Sequence, residues 1–180
     1  GEYPLKPKQG YKFSKTENLP LTIDTDTSKN VIKVYYVKDD SQTQDTKYTV
    51  RYTVEGTEKE RFEVSGTAWV NDNPAQIAIA EGGIPAPADK YTGYKLDPKN
   101  PEYPAAGTKV NSGSEYTVNY VKDDKQTHEV SYTVEYYKDG VLAETDAEVK
   151  ESGWIGDAVE VKVKEVNTKD KFVGYKFEKT

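Results

Sequence analysis

Tyr36-Val37-Lys38-Asp39-Asp40 returns as Tyr120-Val121-Lys122-Asp123-Asp124, so positions 36 and 120 open the same five residues 84 apart. Working outward, Tyr48-Thr49-Val50 returns at the same separation as Tyr132-Thr133-Val134, and Gly-Tyr-Lys occurs three times, at Gly10, Gly93 and Gly174. A fixed period marks an array of like units. Arrays serve reach or multivalent contact, whereas an active site needs one unique arrangement of groups. The repeat therefore turns the functional question away from catalysis.

The units read as strands. Ile32, Val34 and Tyr36 alternate with Lys33 and Tyr35, and Tyr116, Val118 and Tyr120 alternate with Thr117 and Asn119. Period-two alternation predicts half-buried strands. The next strand places Tyr48, Val50 and Tyr52 inward, matched by Tyr132, Val134 and Tyr136. Thr49, Arg51 and Thr53, matched by Thr133, Glu135 and Tyr137, are expected to face solvent, because Arg51 and Glu135 share a register with opposite charge. Trp69 and Trp154 each follow a glycine and read as core plugs. Asn73-Pro74 resembles a helix start, but the counterpart Val159-Glu160-Val161-Lys162-Val163 alternates β-branched residues. Ile77 and Ile79 are accordingly assigned to a strand. Pro85-Ala86-Pro87 and residues 98–104 are loops, since proline lacks the N–H an internal strand needs.

Residues 38–47 form a polar connector without glycine or proline, expected to bend little. It sets the frame: residues 1–44 as the C-terminal part of one repeat, 45–125 as a complete repeat, and 126–180 as the N-terminal part of the next. The alternative frame takes 1–92 and 93–180 as two repeats. The first leaves strand edges on the partial units that a neighbouring chain would complement; otherwise a monomeric array is expected.

Composition agrees. The apolar share of 34% rises to about 41% with the 13 glycines, below the roughly 45–50% of ordinary domains, so thin cores are expected. The 15 tyrosines, 4 phenylalanines and 2 tryptophans still supply bulky surface to bury. A net charge of −6 opposes a nucleic-acid partner. Anionic sugars would have to be met by local lysines, such as those of the Gly-Tyr-Lys segments. With no cysteine there is no disulfide, thiol nucleophile or zinc–thiolate site. No stretch approaches the roughly 20 apolar residues that span a bilayer, so no membrane insertion is expected. Starting at Gly1 within a repeat and lacking a secretory signal, the chain reads as a piece of a longer protein.

Candidate chemistry is sparse. His128 is the single histidine and is assigned to a surface connector, which opposes a triad or a histidine metal site. Asp24, Asp26 and Ser28 imitate the start of a calcium loop, but Lys29 stands where the turn glycine belongs and Tyr35 where the glutamate belongs. Asp39-Asp40 and Asp123-Asp124 fall at the joints between units, where a calcium ion would stiffen the array; a solvated turn is the simpler reading. No carboxylate pair is marked for glycoside hydrolysis. No enzyme, metal or cofactor is expected. Tyrosine offers a flat face to a sugar ring and a hydroxyl for hydrogen bonding, so the candidate ligand-binding residues are the outward Tyr35 and Tyr137 and the loop residues Tyr91 and Tyr103.

A Tyr-Thr-Val-x-Tyr strand at 48–52, a glycine near a tryptophan, Gly93-Tyr94-Lys95 and a closing strand over Val118–Asp124 follow one another, with echoes at Tyr132–Tyr136 and Gly174–Lys176. This order resembles the MucBP (mucin-binding) repeats of Gram-positive surface adhesins and covers most of residues 10–180. The resemblance implies tandem small β-grasp-like units with little helix, mostly β, in an elongated array. It also implies an extracellular, wall-attached location and binding to the glycans of host mucin or another glycoprotein, without catalytic residues. Two functions follow as expectations. The units either bind host glycoprotein through shallow aromatic and polar patches, with avidity from repetition, or they form a passive stalk that projects another domain. Against the first, outward positions differ between copies, as with Tyr35 and Asn119.

Overall fold

A computed structural model describes residues 5–6, 8–157 and 171–180, without the side chains of 147–149. The described chain is mostly β, arranged in several small sheets, with two single-turn 3-10 segments, Thr27–Lys29 and Ile155–Asp157, and no α-helix among the described residues. The strands are β1 (Tyr11–Glu17), β2 (Lys33–Lys38), β3 (Thr43–Val54), β4 (Thr57–Trp69), β5 (Gln76–Ala78), β6 (Tyr94–Leu96), β7 (Lys109–Asn111), β8 (Ser114–Lys122), β9 (Thr127–Lys138) and β10 (Val141–Trp154). The chain divides into two compact units: Gly1–Ala86 with Pro98–Asn119, and Pro87–Asp97 with Tyr120–Thr180.

In the first unit β3 is central, with β4 on one side and β8 on the other. The β3–β4 hairpin turns through Glu55 and Gly56, both at positive φ (48° and 80°), the two-residue turn whose twist suits flanking strands. One face of β3 is the core: Tyr48, Val50, Tyr52 and Val54 are buried together with Val118 of β8. Against it lies the segment carrying β5 and β7, which brings buried Ile77, Ile79 and Ile84. Tyrosine hydroxyls tie the two layers: Tyr48 accepts from the Ala80 amide at 3.1 Å and Tyr52 donates to the Pro85 carbonyl at 2.8 Å. Burying tyrosine is costly unless its hydroxyl finds such a partner. The loop over 98–104 runs along β8, where Asn100 exchanges two hydrogen bonds with the Asn119 backbone and Tyr103 donates to Thr117 O.

The other face of β3 departs from expectation. Thr49 and Thr53 are buried and Arg51 is half-buried instead of facing solvent. Long charged side chains across this face, Lys47–Glu63 at 2.8 Å and Glu58 between Arg51 and Arg61, roof the short threonines with their alkyl stems. Asn119 is likewise no outward group: its Oδ1 accepts from Thr53 Oγ1 at 2.6 Å and from the Gly56 amide at 3.0 Å. The β1–β2 ribbon departs the other way. Val34 is exposed, because a two-stranded ribbon has no second layer among the described residues to bury its apolar side, and Ile32, also exposed, precedes β2 instead of lying in it.

The second unit holds β6, paired with the end of β8 (Tyr94↔Lys122, Leu96↔Tyr120), and the β9–β10 hairpin. That hairpin turns through Asp139 and Gly140 at φ 48° and 81°, the same turn one period on. Tyr120 is wholly buried, donates to Pro87 O at 2.6 Å and meets Tyr91 edge-on at 5.1 Å. Along β9 the expected alternation holds, with Tyr132, Val134 and Tyr136 half-buried and Thr133, Glu135 and Tyr137 exposed. His128 stands in β9, half-buried, not in a connector, since the strand begins at Thr127 directly after the turn. Ile77 lies in β5 as read from the sequence, but Ile79 falls just past the end of that strand at Ala78, while Val159–Val163 lies outside the described residues.

Removing two methyls from a fully packed site costs their transfer free energy plus a cavity. Val50→Ala is expected to lower stability by about 2–3 kcal/mol, and Val34→Ala on the exposed ribbon by no more than about 0.5 kcal/mol. Urea unfolding followed by far-UV circular dichroism measures both.

Candidate functional site

The arrangement that recurs with its partners intact is a clasp of glycine, tyrosine, tryptophan, aspartate and glutamine. In the first unit the chain enters β1 through Gly10 at φ 81°, with the Tyr11 amide donating to Lys8 O at 3.0 Å. In the second it enters β6 through Gly93 at φ 87°, with the Tyr94 amide donating to Tyr91 O at 3.1 Å. Opposite each glycine the strand leaving Tyr-Val-Lys turns through Asp39–Gln42 or Asp123–Gln126. The glutamine amide of each turn donates to its own aspartate carbonyl, at 3.1 and 3.0 Å. The aspartate amide donates to the glycine carbonyl, Asp39 to Gly10 at 2.8 Å and Asp123 to Gly93 at 2.9 Å.

Each glutamine makes three side-chain hydrogen bonds here, using both Nε2 donors and Oε1. Gln42 Oε1 accepts from the Gly10 amide at 2.8 Å, while its Nε2 donates to Tyr11 O and to Asp39 Oδ2. Gln126 repeats this with the Gly93 amide at 2.8 Å, Tyr94 O and Asp123 Oδ2. The tryptophan closing the long hairpin lies over the glycine. Trp69 Nε1 donates to Gly10 O at 3.1 Å and Trp154 Nε1 to Gly93 O at 2.9 Å. Tyr11 meets Trp69, and Tyr94 meets Trp154, at 5.4 Å in both cases and nearly perpendicular (85° and 88°). Lys38 and Lys122 hold their ammonium groups 4.8 and 4.7 Å from the two indole rings, a favourable cation–π placement.

The glycines are required twice over. Positive φ strains any residue with a Cβ, and a Cβ on either Gly10 or Gly93 would stand 2.8 Å from an indole ring carbon. The tryptophans are therefore not core plugs: both are half-buried lids on a glycine turn. Hairpin register puts them there, pairing Trp69 with Thr43 and Trp154 with Thr127, the residues directly after the glutamine turns. Gln42 and Gln126 escaped the sequence reading although they too stand one period apart. The polar connector over 38–47 resolves into this turn followed by the first residues of β3.

Asp39 and Asp123 are the turn-capping carboxylates. Hydrogen bonds from Ser41 and then Gln42 hold the Asp39 carboxyl below its ordinary value of 3.8, and hydrogen bonds from Gln126 and the Lys125 amide do the same for Asp123. Asp40 and Asp124 pair instead with Lys38 and Lys122 at 3.1 and 3.6 Å. Among the described residues no group of three or more histidine, aspartate or glutamate side chains is placed to hold a metal.

The four candidate tyrosines lie on four different elements. Tyr35, on β2, is exposed; its hydroxyl donates to Glu17 at 2.9 Å and Lys15 lies over its ring at 5.0 Å. The Glu17 carboxyl is held down by Lys15 first and Tyr35 second, and the Tyr35 hydroxyl is pushed up by Glu17. Tyr137, on β9, is 56% exposed and bonded to Glu135, which raises its hydroxyl. Tyr91 and Tyr103 are half-buried, the first against Tyr120 and the second on Thr117 O. An open polar hollow of about 570 Å³ in the first unit is lined by Lys38, Thr43, Trp69, Asp72 and Asn73 among others, and none of the four tyrosines borders it. No family model matches this sequence, and the search of curated proteins found no match.

Two outcomes are expected. Gly10→Ala and Gly93→Ala should each destabilise by about 1–3 kcal/mol more than Gly113→Ala, which meets the same positive φ (90°) but open space, because only the first two overpack an indole; thermal unfolding and near-ultraviolet circular dichroism of tryptophan read this. With folded values below the unfolded ones, Asp39 and Asp123 contribute stability present above the ordinary value, and it is lost as pH falls through the lowered values. Tryptophan fluorescence should stay constant from neutral pH down to about 5 and change below about 4, with the change reduced in Asp39→Asn, Asp123→Asn.

Proposed function

We propose that this chain is a run of non-catalytic repeats from a bacterial surface protein of the MucBP-like kind, acting as a spacer that projects another domain from the cell wall. The observation that carries the reading is the duplicated clasp. In the frame with a complete repeat at 45–125, each clasp spans a repeat boundary: Gly10 and the Asp39–Gln42 turn belong to one repeat and Trp69 to the next, while Gly93 and Asp123 belong to one and Gln126 and Trp154 to the next. What the copies keep in common is thus a device for holding neighbours in a set geometry. A spacer needs just this, since compliance at each joint would shorten its reach. The tandem β units, the elongated array and the extracellular, wall-attached location are parts of the same proposal.

A second reading, adhesion to mucin or another host glycoprotein, has its own support in the tip of the β9–β10 hairpin. There Tyr137 and its cross-strand partner Leu142 are both exposed on one face of the hairpin, a small aromatic and apolar surface of the type that stacks on sugar rings. Its counterpart in the first copy carries Thr53, a buried residue, so the surface is not shared by the repeats and brings no avidity.

Immobilised mucin titrated with the intact chain tests both. The spacer reading expects no saturable binding up to high micromolar concentration; binding abolished by Tyr137→Ala or Tyr35→Ala would establish adhesion in its place. Small-angle scattering should give a radius of gyration well above the roughly 16 Å of a compact 180-residue globule, and a value near that figure would remove the array.

A further inference from the structure

Gly174-Tyr175-Lys176 repeats the entry turn of the clasp without its cover. The Tyr175 amide donates to Phe172 O at 3.2 Å and Gly174 stands at φ 78°, matching the turns at Gly10 and Gly93. Those two glycines are buried beneath indoles, whereas Gly174 is exposed, with nothing within 4 Å of where its Cβ would be. Among the described residues no hydrogen bond reaches the Gly174 amide or carbonyl. Val173 beside it is fully exposed and Tyr175 is 42% exposed, with Lys138 Nζ 5.3 Å from the Tyr175 ring. The sequence matches as closely as the turn. Residues 174–180 read Gly-Tyr-Lys-Phe-Glu-Lys-Thr and residues 10–16 read Gly-Tyr-Lys-Phe-Ser-Lys-Thr, differing at one position.

We propose that Gly174-Tyr175-Lys176 is the open half of a third clasp, and that its occupant is an Asp-x-x-Gln turn and tryptophan that follow it in the same polypeptide. The two filled clasps define the chemistry of that occupant. A glutamine Oε1 accepts from the glycine amide, its Nε2 donates to the tyrosine carbonyl, and an indole N–H and an aspartate amide both donate to the glycine carbonyl. The tryptophans of this chain are already engaged, Trp69 by Gly10 and Trp154 by Gly93, so a second molecule could offer a lid only by opening its own clasp. Closure within one polypeptide needs no such exchange. The inference rests on the spacer reading but is tested separately from it.

The test compares the 180-residue chain with the same chain followed directly by a second copy of residues 17–125, which supplies Asp39, Gln42 and Trp69 in the register seen after Thr16. Amide hydrogen exchange by NMR is read at Gly174, with Gly93 as the internal standard of a closed clasp. In the unextended chain Gly174 should exchange at nearly the unprotected rate. In the extended chain its exchange should slow at least about tenfold, toward that of Gly93, and Gln42→Ala in the appended copy alone should restore fast exchange. A second extension, with residues 100–180 following Thr180, supplies Gln126 and Trp154 should the first copy not fold. Fast exchange at Gly174 in both extended chains overturns the proposal, as does concentration-dependent protection of Gly174 in the unextended chain, which would assign the occupant to a second molecule. Mucin binding would remove the spacer reading without altering Gly174 exchange, so the two failures are distinguishable.

Discussion

An indole resting on a glycine that no other residue could replace is the contact on which the rest of the arrangement turns. The missing Cβ lets Trp69 and Trp154 approach Gly10 and Gly93 closely enough for the ring N–H to reach the glycine carbonyl. Positive φ then aims the glycine amide at the glutamine opposite. The glycine, the glutamine, the aspartate and the indole are joined by hydrogen bonds to one another, so the contact behaves as one cooperative network in which loss of a member strands its partners. The aspartate hydrogen-bonded to that glutamine connects the network to solvent pH.

The long hairpins serve this contact by length and register. Glu55-Gly56 and Asp139-Gly140 make the same tight turn, and the strands they join deliver each tryptophan back beside the residue after its glutamine turn. A slip of one residue would move every side chain to the opposite face and carry the indole off the glycine. The buried tyrosines and valines of β3 hold that register in the first unit, because such a slip would also drag Tyr48, Val50 and Tyr52 out of the core. Core and clasp thus constrain each other through one strand.

Much of this was legible in the chain. The period, the strand-rich class, the inward face of β3 and the strand character of Ile77 all follow from alternation and repetition. The solvent-facing assignment of Thr49 and Thr53 failed because alternation reports only whether a side chain is polar, and long ion-paired neighbours can cover a short hydroxyl. Val34 failed for the opposite reason: an apolar alternation needs a layer to bury against, and pattern alone does not supply one. The candidate tyrosines were chosen for what one side chain can do, and the structure places them on four separate elements.

Duplication, the glycines and the identity of every clasp residue are present in the one-dimensional sequence, since each recurs at nearly the same interval. The pairing of Gly10 with Gln42 and Trp69 is not. Those residues lie 32 and 59 positions apart, and nothing local links a glycine turn to an indole so distant. Only the folding of the hairpin back on itself brings them together, because hydrogen bonds and van der Waals contacts act over a few ångströms of space whatever the separation along the chain.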